Sequence, residues 1–392
     1  MNREIGALLS LQPNASKIAT SLGLDKFLAK KGPMKDRAFR IFNVDGEKQV
    51  EIPSDTDKYG APRMVYHRVD LHDALKEAVT DNRGRGSPGK IIPCSRVASV
   101  NCEDGIVFLE NGRSYQGDII IGADGIHSVV RTSVLGSEAS QPQPTGTSAY
   151  RLLLETIELE KCTEFMSFMD PRDPATTMIV GHDRRVIMGP GRSGNIFGVV
   201  ALVPDEHMHE QSSTKSWTSE GSLPKLLESF SEFPAWVKDL FNTASEAPAL
   251  YQLRDIDPLS TWIRGRAILI GDAAHAMLPT QGQGASQSFE DAEALQAFLG
   301  DVTATSSQDE IRGCLESVFE ARYARATLIQ AYSRQQARPA TDKGSKKVKL
   351  NPAEFMDYNC KYEGAKDWCK QQSGTDTVIS VESLSKAISV IL

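Results

Sequence analysis

Residues 267–295 read AILIGDAAHAMLPTQGQGASQSFEDAEAL. The apolar run Ala267-Ile268-Leu269-Ile270 stops at Gly271-Asp272, the pattern of a buried strand in a parallel sheet. A short loop ends at Pro279, a turn containing Gly282 and Gly284 follows, and a helical pattern then places Phe289, Ala292, Leu295 and Leu299 on one face. Glycines without a Cβ let backbone N–H groups approach a ligand closely, and a helix N-terminus favours an anion such as a diphosphate. Asp272 falls at the carboxyl end of its strand, where open α/β sheets bind ligands. A carboxylate there accepts hydrogen bonds from sugar or polyol hydroxyls. The stretch predicts one wall of a nucleotide-type cofactor site.

A second region, 97–136, contains the turn dipeptides Asp104-Gly105 and Asn111-Gly112 between β-rich segments at Val97–Val100, Ile106–Leu109 and Ser114–Tyr115. Such dipeptides favour type I′ hairpin turns and predict a β-meander. It runs into DIIIGADGIHSVVR, a buried strand ending at Gly122-Ala123-Asp124-Gly125, with Ser128 as cap of a short helix that Gly136 ends. A third region, YGAPRMVYHRVDLHDALKEAV at 59–79, predicts a helix capped by Asp70, with Leu71, Leu75, Ala78 and Val79 on its apolar face and Arg68 just before it.

Together these strings carry a resemblance. GDAAHxMxPxxGQGxxxxxED is similar to the second FAD-binding signature of the single-component flavin monooxygenases, the family of salicylate and para-hydroxybenzoate hydroxylases. GADGxxSxxR resembles that family's DG motif, and His-Arg-x-Asp-Leu a run whose arginine contacts the cofactor. The resemblance implies that Asp272 holds the ribityl chain of FAD while Gly284 and Ala285 lie along the flavin and its diphosphate. It places Gly6, Arg68 and Asp124 at the cofactor too, with Arg131 carried over beside Asp124. The bland alternative is a strand–helix unit of any α/β protein with a chance Gly-Asp.

Members of that family normally begin with a strand, a GxGxxG turn and a helix for the adenosine diphosphate. This sequence opens MNREIGALLSLQPNASKIATSLGL, which resembles the segment after that unit, so roughly 35–45 residues, the length of one such opening, are expected to be absent. A mis-called start would leave the true protein intact; a real short form would have a half-built site. GRGSPG at 84–89 follows a helical pattern, and GPGRSG at 189–194 leads into β-like NIFGVVAL, so neither sits between a strand and a helix start.

The fold expected is α/β: an N-terminally truncated, Rossmann-like FAD-binding domain of the glutathione-reductase type at 1–143 and 250–337, an inserted, mostly antiparallel α+β substrate domain at 144–249, and a helical tail at 338–392. Extended segments are expected at Ser148–Leu154, Glu164–Met169, Thr176–Val180, Arg185–Met188 and Ile196–Val203, with helices around Leu223–Phe230 and Trp236–Phe241 separated by Pro234. Tyr150-Arg151 resembles the family's YR pair, which implies that Arg151 lies near the reacting site. An arginine suits a carboxylate or phenolate because its fork is always charged and bidentate. Where many fungal members carry a tyrosine that assists the chemistry, this chain has Gly189.

Composition bounds the rest. With 392 residues and 40% apolar content the chain is long enough for a large domain plus a smaller one. A net charge of −7 and a pI near 5.6 argue against nucleic acid or an anionic membrane as main partner. The six cysteines show no metal or disulfide spacing, His275 lacks companion ligands, and no metal is expected. No signal peptide or membrane-spanning run is visible, which makes the cytoplasm the default. The basic stretch at 338–349 reads as a solvated linker, and Asp376–Leu392 as a docked helix.

The resemblance implies a monooxygenase that uses NADH or NADPH, FAD and O₂ to hydroxylate an aromatic or polyketide-like small molecule, as in fungal secondary metabolism. The competing reading is a non-catalytic paralogue that binds a small molecule or partner without retaining FAD; a flavin-fold isomerase or epoxidase lies between.

Overall fold

The computed structural model describes residues 7–83, 86–208, 218–337 and 348–374. Of these, the residues before Lys90 and those from Pro144 to Leu253 form one compact unit; Lys90–Gln143 and the residues after Leu253 form the other. This grouping differs from the division drawn on the sequence, which put all of 1–143 with the cofactor unit. The reason is a parallel pairing of Ala38–Asn43 with Ala175–Val180, which ties the front of the chain to the central segment.

The first unit is built on an eight-stranded mixed sheet. Its strand order is Thr218–Glu220, Ala249–Asp255, Gln143–Glu155, Ile196–Pro204, Arg185–Gly191, Ala175–Val180, Ala38–Asn43 and Lys48–Pro53. His182-Asp183 turns a hairpin, with Val180 opposite Arg185. The 189–194 string enters from a strand and leaves into another, through a tight Arg192–Gly194 turn. One face of the sheet is covered by helices Leu223–Ser229 and Ala235–Asn242, whose Leu226, Val237, Leu240 and Phe241, with Phe230 just after the first, join Tyr150, Ile179, Val186 and Phe197 in a buried cluster. Residues 164–169 are not extended: Thr163–Phe168 is a helix, which buries Phe165 fully and stacks Phe168 on Trp236 at 3.9 Å.

In the second unit Ala267–Leu269 is fully buried and runs parallel to Ile120–Gly122, as the apolar run predicts; Ile263–Arg264 pairs on its other side. The meander appears as Val97–Asn101, Ile106–Leu109 and Ser114–Gln116. Its turns are not type I′, because Gly105 and Gly112 have positive φ while Asp104 and Asn111 do not. Helices Gly284–Leu299 and Gln308–Ala337 pack on each other, and Pro352–Cys360 and Ala365–Gly374 complete the layer. The expected 338–349 linker lies largely, and the 376–392 helix wholly, outside the described residues. Among the described residues no helix is long and apolar enough to cross a membrane, and no group of three His, Cys, Asp or Glu side chains could hold a metal ion.

Candidate active site

The site begins where the Ala267–Leu269 strand ends. Gly271 takes φ +56°, and a Cβ there would lie 3.0 Å from Ser288 Oγ, so the turn and the helix can approach only at a glycine. The chain then starts a four-residue helix at Asp272, whose side chain is exposed, while Ala273, Ala274 and His275 are buried. Gln283 precedes the sixteen-residue helix Gly284–Leu299 and makes no side-chain capping bond to it. A Cβ on Gly284 would meet nothing within 4 Å. The helix thus starts without a side-chain cap and with open space beside Gly284, at the positive end of a long helix, a setting suited to an anion.

Behind this edge the helix is not apolar. Phe289, Ala292, Leu295 and Leu299 are only half-buried, and the fully buried stripe is Ser286, Gln287, Glu290, Asp291 and Ala294. Asp291 Oδ2 accepts the Gly271 N–H at 2.8 Å and contacts His275 Nε2 at 2.7 Å; its Oδ1 accepts Arg322 Nε at 2.9 Å. Arg322 also reaches Glu290 at 2.5 Å and Gln287 at 2.7 Å, and Arg325 grips Glu290 with Nε at 2.7 Å and Nη2 at 2.8 Å. Burial alone would raise the Asp291 pKa, but His275 and Arg322 outweigh it and hold the carboxyl well below its ordinary range. Burial opposes the charge of Arg322 as well, and Glu290 and Asp291 outweigh it. Two acids and two arginines thus neutralise one another in a dry interior, and one of their bonds fixes the backbone beside Asp272.

The second motif is wired to the first. Ser128 caps its helix by accepting the Arg131 N–H at 2.8 Å, and Gly136 ends it, as the sequence predicts. Asp124 accepts Ser128 Oγ at 2.5 Å and the N–H groups of Val129 and Val130 at 2.7 and 3.1 Å, so its carboxylate binds the start of that helix. Arg131 is buried; it donates to the carbonyls of Ser140 at 3.2 Å and Ala273 at 3.1 Å, and to that of Ile126. Burial pulls its pKa down and the Asp124 charge partly restores it.

The remaining sequence-derived candidates belong to the first unit, apart from Gly6, which lies outside the described residues. Arg68 opens the helix Arg68–Thr80, with its backbone N–H on Ala7 O at 2.8 Å. Asp70 does not cap that helix; it lies in the first turn and pairs with Arg192, at 2.6 Å to Nε and 2.8 Å to Nη2. Arg151 stands on the Gln143–Glu155 strand with its guanidinium 4.5 Å from the Tyr251 ring. Its Nε is buried with no hydrogen-bond partner among the described residues. Burial lowers the Arg151 pKa, Tyr251 opposes this, and Arg68 adds to it, so the two arginines feel each other's charge. Gly189 sits opposite Gly198, and a Cβ there would lie 3.1 Å from Ala175 O, so a side chain at 189 requires the neighbouring strand to give by a few tenths of an ångström.

Sequence reasoning missed Glu290, Asp291, Arg322 and Arg325 as site-building residues. The first two stand in the quoted signature, but their partners lie 31 to 35 residues away on another helix.

A family model described as FAD binding domain matches residues 109–326, more than half of the chain. The chain is 30% identical to salicylate hydroxylase of Pseudomonas putida, over 84% of its own length and 76% of that protein. This chain belongs to the FAD-binding family of flavin-dependent monooxygenases. It is also similar to the FAD-dependent monooxygenase cfoG of Aspergillus candidus, at 29% identity over 93% of this chain and 86% of that one. Among solved structures, a salicylate hydroxylase substrate complex superposes with a TM-score of 0.76 at 28% identity, covering 93% of this chain and 90% of the other. Membership makes the protein an FAD-dependent monooxygenase with the α/β fold of salicylate hydroxylase. The exposed Asp272 carboxylate, the helix N-terminus without a side-chain cap and the open space at Gly284 fit FAD's polyol and diphosphate chemically.

Proposed function

We propose that this enzyme hydroxylates an electron-rich aromatic or polyketide-like small molecule with O₂ and either NADH or NADPH, in fungal secondary metabolism. Bound FAD supplies the redox and oxygen chemistry. The protein's part is to hold and orient. Asp272 accepts hydrogen bonds from the ribityl hydroxyls, and the N–H groups of Gly284 and Ala285 receive the diphosphate. Asp124 and Arg131 fix the neighbouring turn, and Arg68 contributes positive charge to the cofactor. Arg151 orients the substrate through a carboxylate or phenolate oxygen.

The observation that carries this reading is the pairing of an exposed carboxylate at a parallel-strand end with an uncapped sixteen-residue helix whose first residue opens onto space. Arg151 adds to it, since a buried guanidinium nitrogen without a partner is costly unless a ligand completes it. The test is direct. Purified protein titrated with FAD should show bound-flavin bands near ~370 and ~450 nm, and Asp272→Ala should weaken that binding at least tenfold. NADH or NADPH oxidation and O₂ uptake should then rise with phenolic substrates, giving products heavier by one oxygen. A folded protein that ignores FAD at saturating concentration would sink the proposal.

A further inference from the structure

The described C-terminal helices make no part of the motifs above, yet they close around the charge cluster that holds the cofactor turn. Arg325 is completely buried. Its guanidinium lies 4.5 Å from the Tyr362 ring, 4.9 Å from Tyr358 and 5.2 Å from Trp368, and donates to the carbonyls of Tyr358 at 2.9 Å and Asn359 at 3.0 Å. Its remaining donors hold Glu290, which Arg322 shares; Arg322 holds Asp291, and Asp291 holds the Gly271 N–H. A second tie runs in parallel: Glu293 accepts Tyr362 Oη at 3.0 Å and the Ala365 N–H at 2.9 Å.

We infer that the helix pair Pro352–Cys360 and Ala365–Gly374 is a clamp that sets FAD affinity without touching FAD, with Arg325 and Trp368 as positioning residues for the Gly271-Asp272 turn. Each acid and arginine in the relay is fully buried, so water cannot replace a lost partner. Loosening Arg325 leaves Glu290 short of donors. Glu290 and Arg322 must then redistribute their bonds, and the Asp291 bond to Gly271 is the last link before the carboxylate at 272. Aromatic faces seat a desolvated guanidinium by cation–π attraction, and its planar fork reaches two carbonyls and one carboxylate together, which a lysine cannot do. The inference rests on the reading that Asp272 and the first turn of Gly284–Leu299 receive FAD.

The experiment compares full-length wild type with Trp368→Ala, Trp368→Phe, Arg325→Lys, Tyr362→Phe and Asp272→Asn. It reads the FAD dissociation constant by fluorescence quenching, the visible circular dichroism of bound flavin, and the melting temperature without FAD. Trp368→Ala and Arg325→Lys should raise the dissociation constant about tenfold and alter the dichroism of the flavin still bound. Trp368→Phe should restore both, and Tyr362→Phe should weaken binding about threefold. If Trp368→Ala and Arg325→Lys melt lower but bind FAD as wild type does, the helices are merely structural and the clamp is overturned. Where either fails to fold, Tyr362→Phe decides in its place, and wild-type affinity in it overturns the clamp. Asp272→Asn separates the two ideas. Loss of FAD in that variant with wild-type affinity in the others removes the clamp alone, whereas unchanged affinity in Asp272→Asn removes the reading beneath it.

Discussion

Arg131 Nη1 donates to the carbonyl of Ala273 at 3.1 Å, joining two motif loops that lie 142 residues apart in sequence. The same guanidinium reaches Ile126 in its own loop and Ser140 beyond its own helix. Arg131, which the resemblance carries over beside Asp124, is a buried pin between the Asp124 and Asp272 segments. The two segments that resemble flavin signatures are therefore one mechanical object.

Arg131→Met removes that pin and strands one buried carbonyl, that of Ala273, and two partly buried ones, those of Ile126 and Ser140. Hydrogen bonds to charged groups and the desolvation of orphaned acceptors put the cost at roughly 2–4 kcal/mol. Urea unfolding should show it as a shifted midpoint with an unchanged slope. A loss below about 0.5 kcal/mol, the size typical of surface substitutions, would mean that the bonds are replaced by water.

Asp291→Asn tests the buried cluster through pH. The Asp291 pKa is depressed in the folded state, so its contribution is fully present above the unfolded aspartate value of ~3.9 and is lost as pH falls toward the folded value. The variant should be less stable than wild type by about 3–5 kcal/mol near neutrality, the cost of breaking a buried ion pair. That gap should narrow as pH drops from ~5 to ~2. A gap constant across that range would show that the carboxylate charge is not what stabilises the turn.

How much of this was legible follows from where the partners sit. The Ala267–Leu269 strand and the Gly271-Asp272 turn could be read because an unbroken apolar run ending in glycine carries its signal locally. Ser128 and Gly136 were readable for the same reason, since a cap acts within one turn of itself. Glu290 and Asp291 were not, because a charged pair on a helix reads as solvent-facing until Arg322 and Arg325 are brought against it. The Thr163–Phe168 helix was misread as extended, since its short apolar pattern fits either period and the burial of Phe165 against Phe197 and Trp236 decides it. Asp70 looked like a helix cap from sequence, and its pairing with Arg192, 122 residues on, has no local trace.

Gly189→Tyr supplies the phenol that the family resemblance leads one to expect at this place. The ideal Cβ would stand 3.1 Å from Ala175 O, so the neighbouring strand must shift before any ring is accommodated. Overpacking of this kind costs about 1–3 kcal/mol. We expect a lower melting temperature and no gain in turnover. A variant that is both as stable and more active would show that the sheet yields readily and that the missing phenol limits the chemistry.

Arg151→Met separates binding from folding at the substrate side. The Arg151 Nε is buried with no hydrogen-bond partner among the described residues, burial lowers the pKa of the group, and Arg68 opposes its charge, so the folded protein gains little from keeping a guanidinium there. A methionine of similar length can still pack on the Tyr251 ring that the guanidinium now covers. Stability should therefore change by less than about 1 kcal/mol in either direction, and FAD affinity should stay within twofold of wild type. Turnover of a carboxylate- or phenolate-bearing substrate should fall at least tenfold in kcat/KM, carried mainly by KM if Arg151 holds the ground state and by kcat if it aligns the reacting carbon. Arg151→Lys should recover charge but not the fork, and so restore only part of the loss. Wild-type kcat/KM in Arg151→Met, with the flavin fully bound, would remove Arg151 from the substrate site and leave its buried charge to be explained by Tyr251 alone.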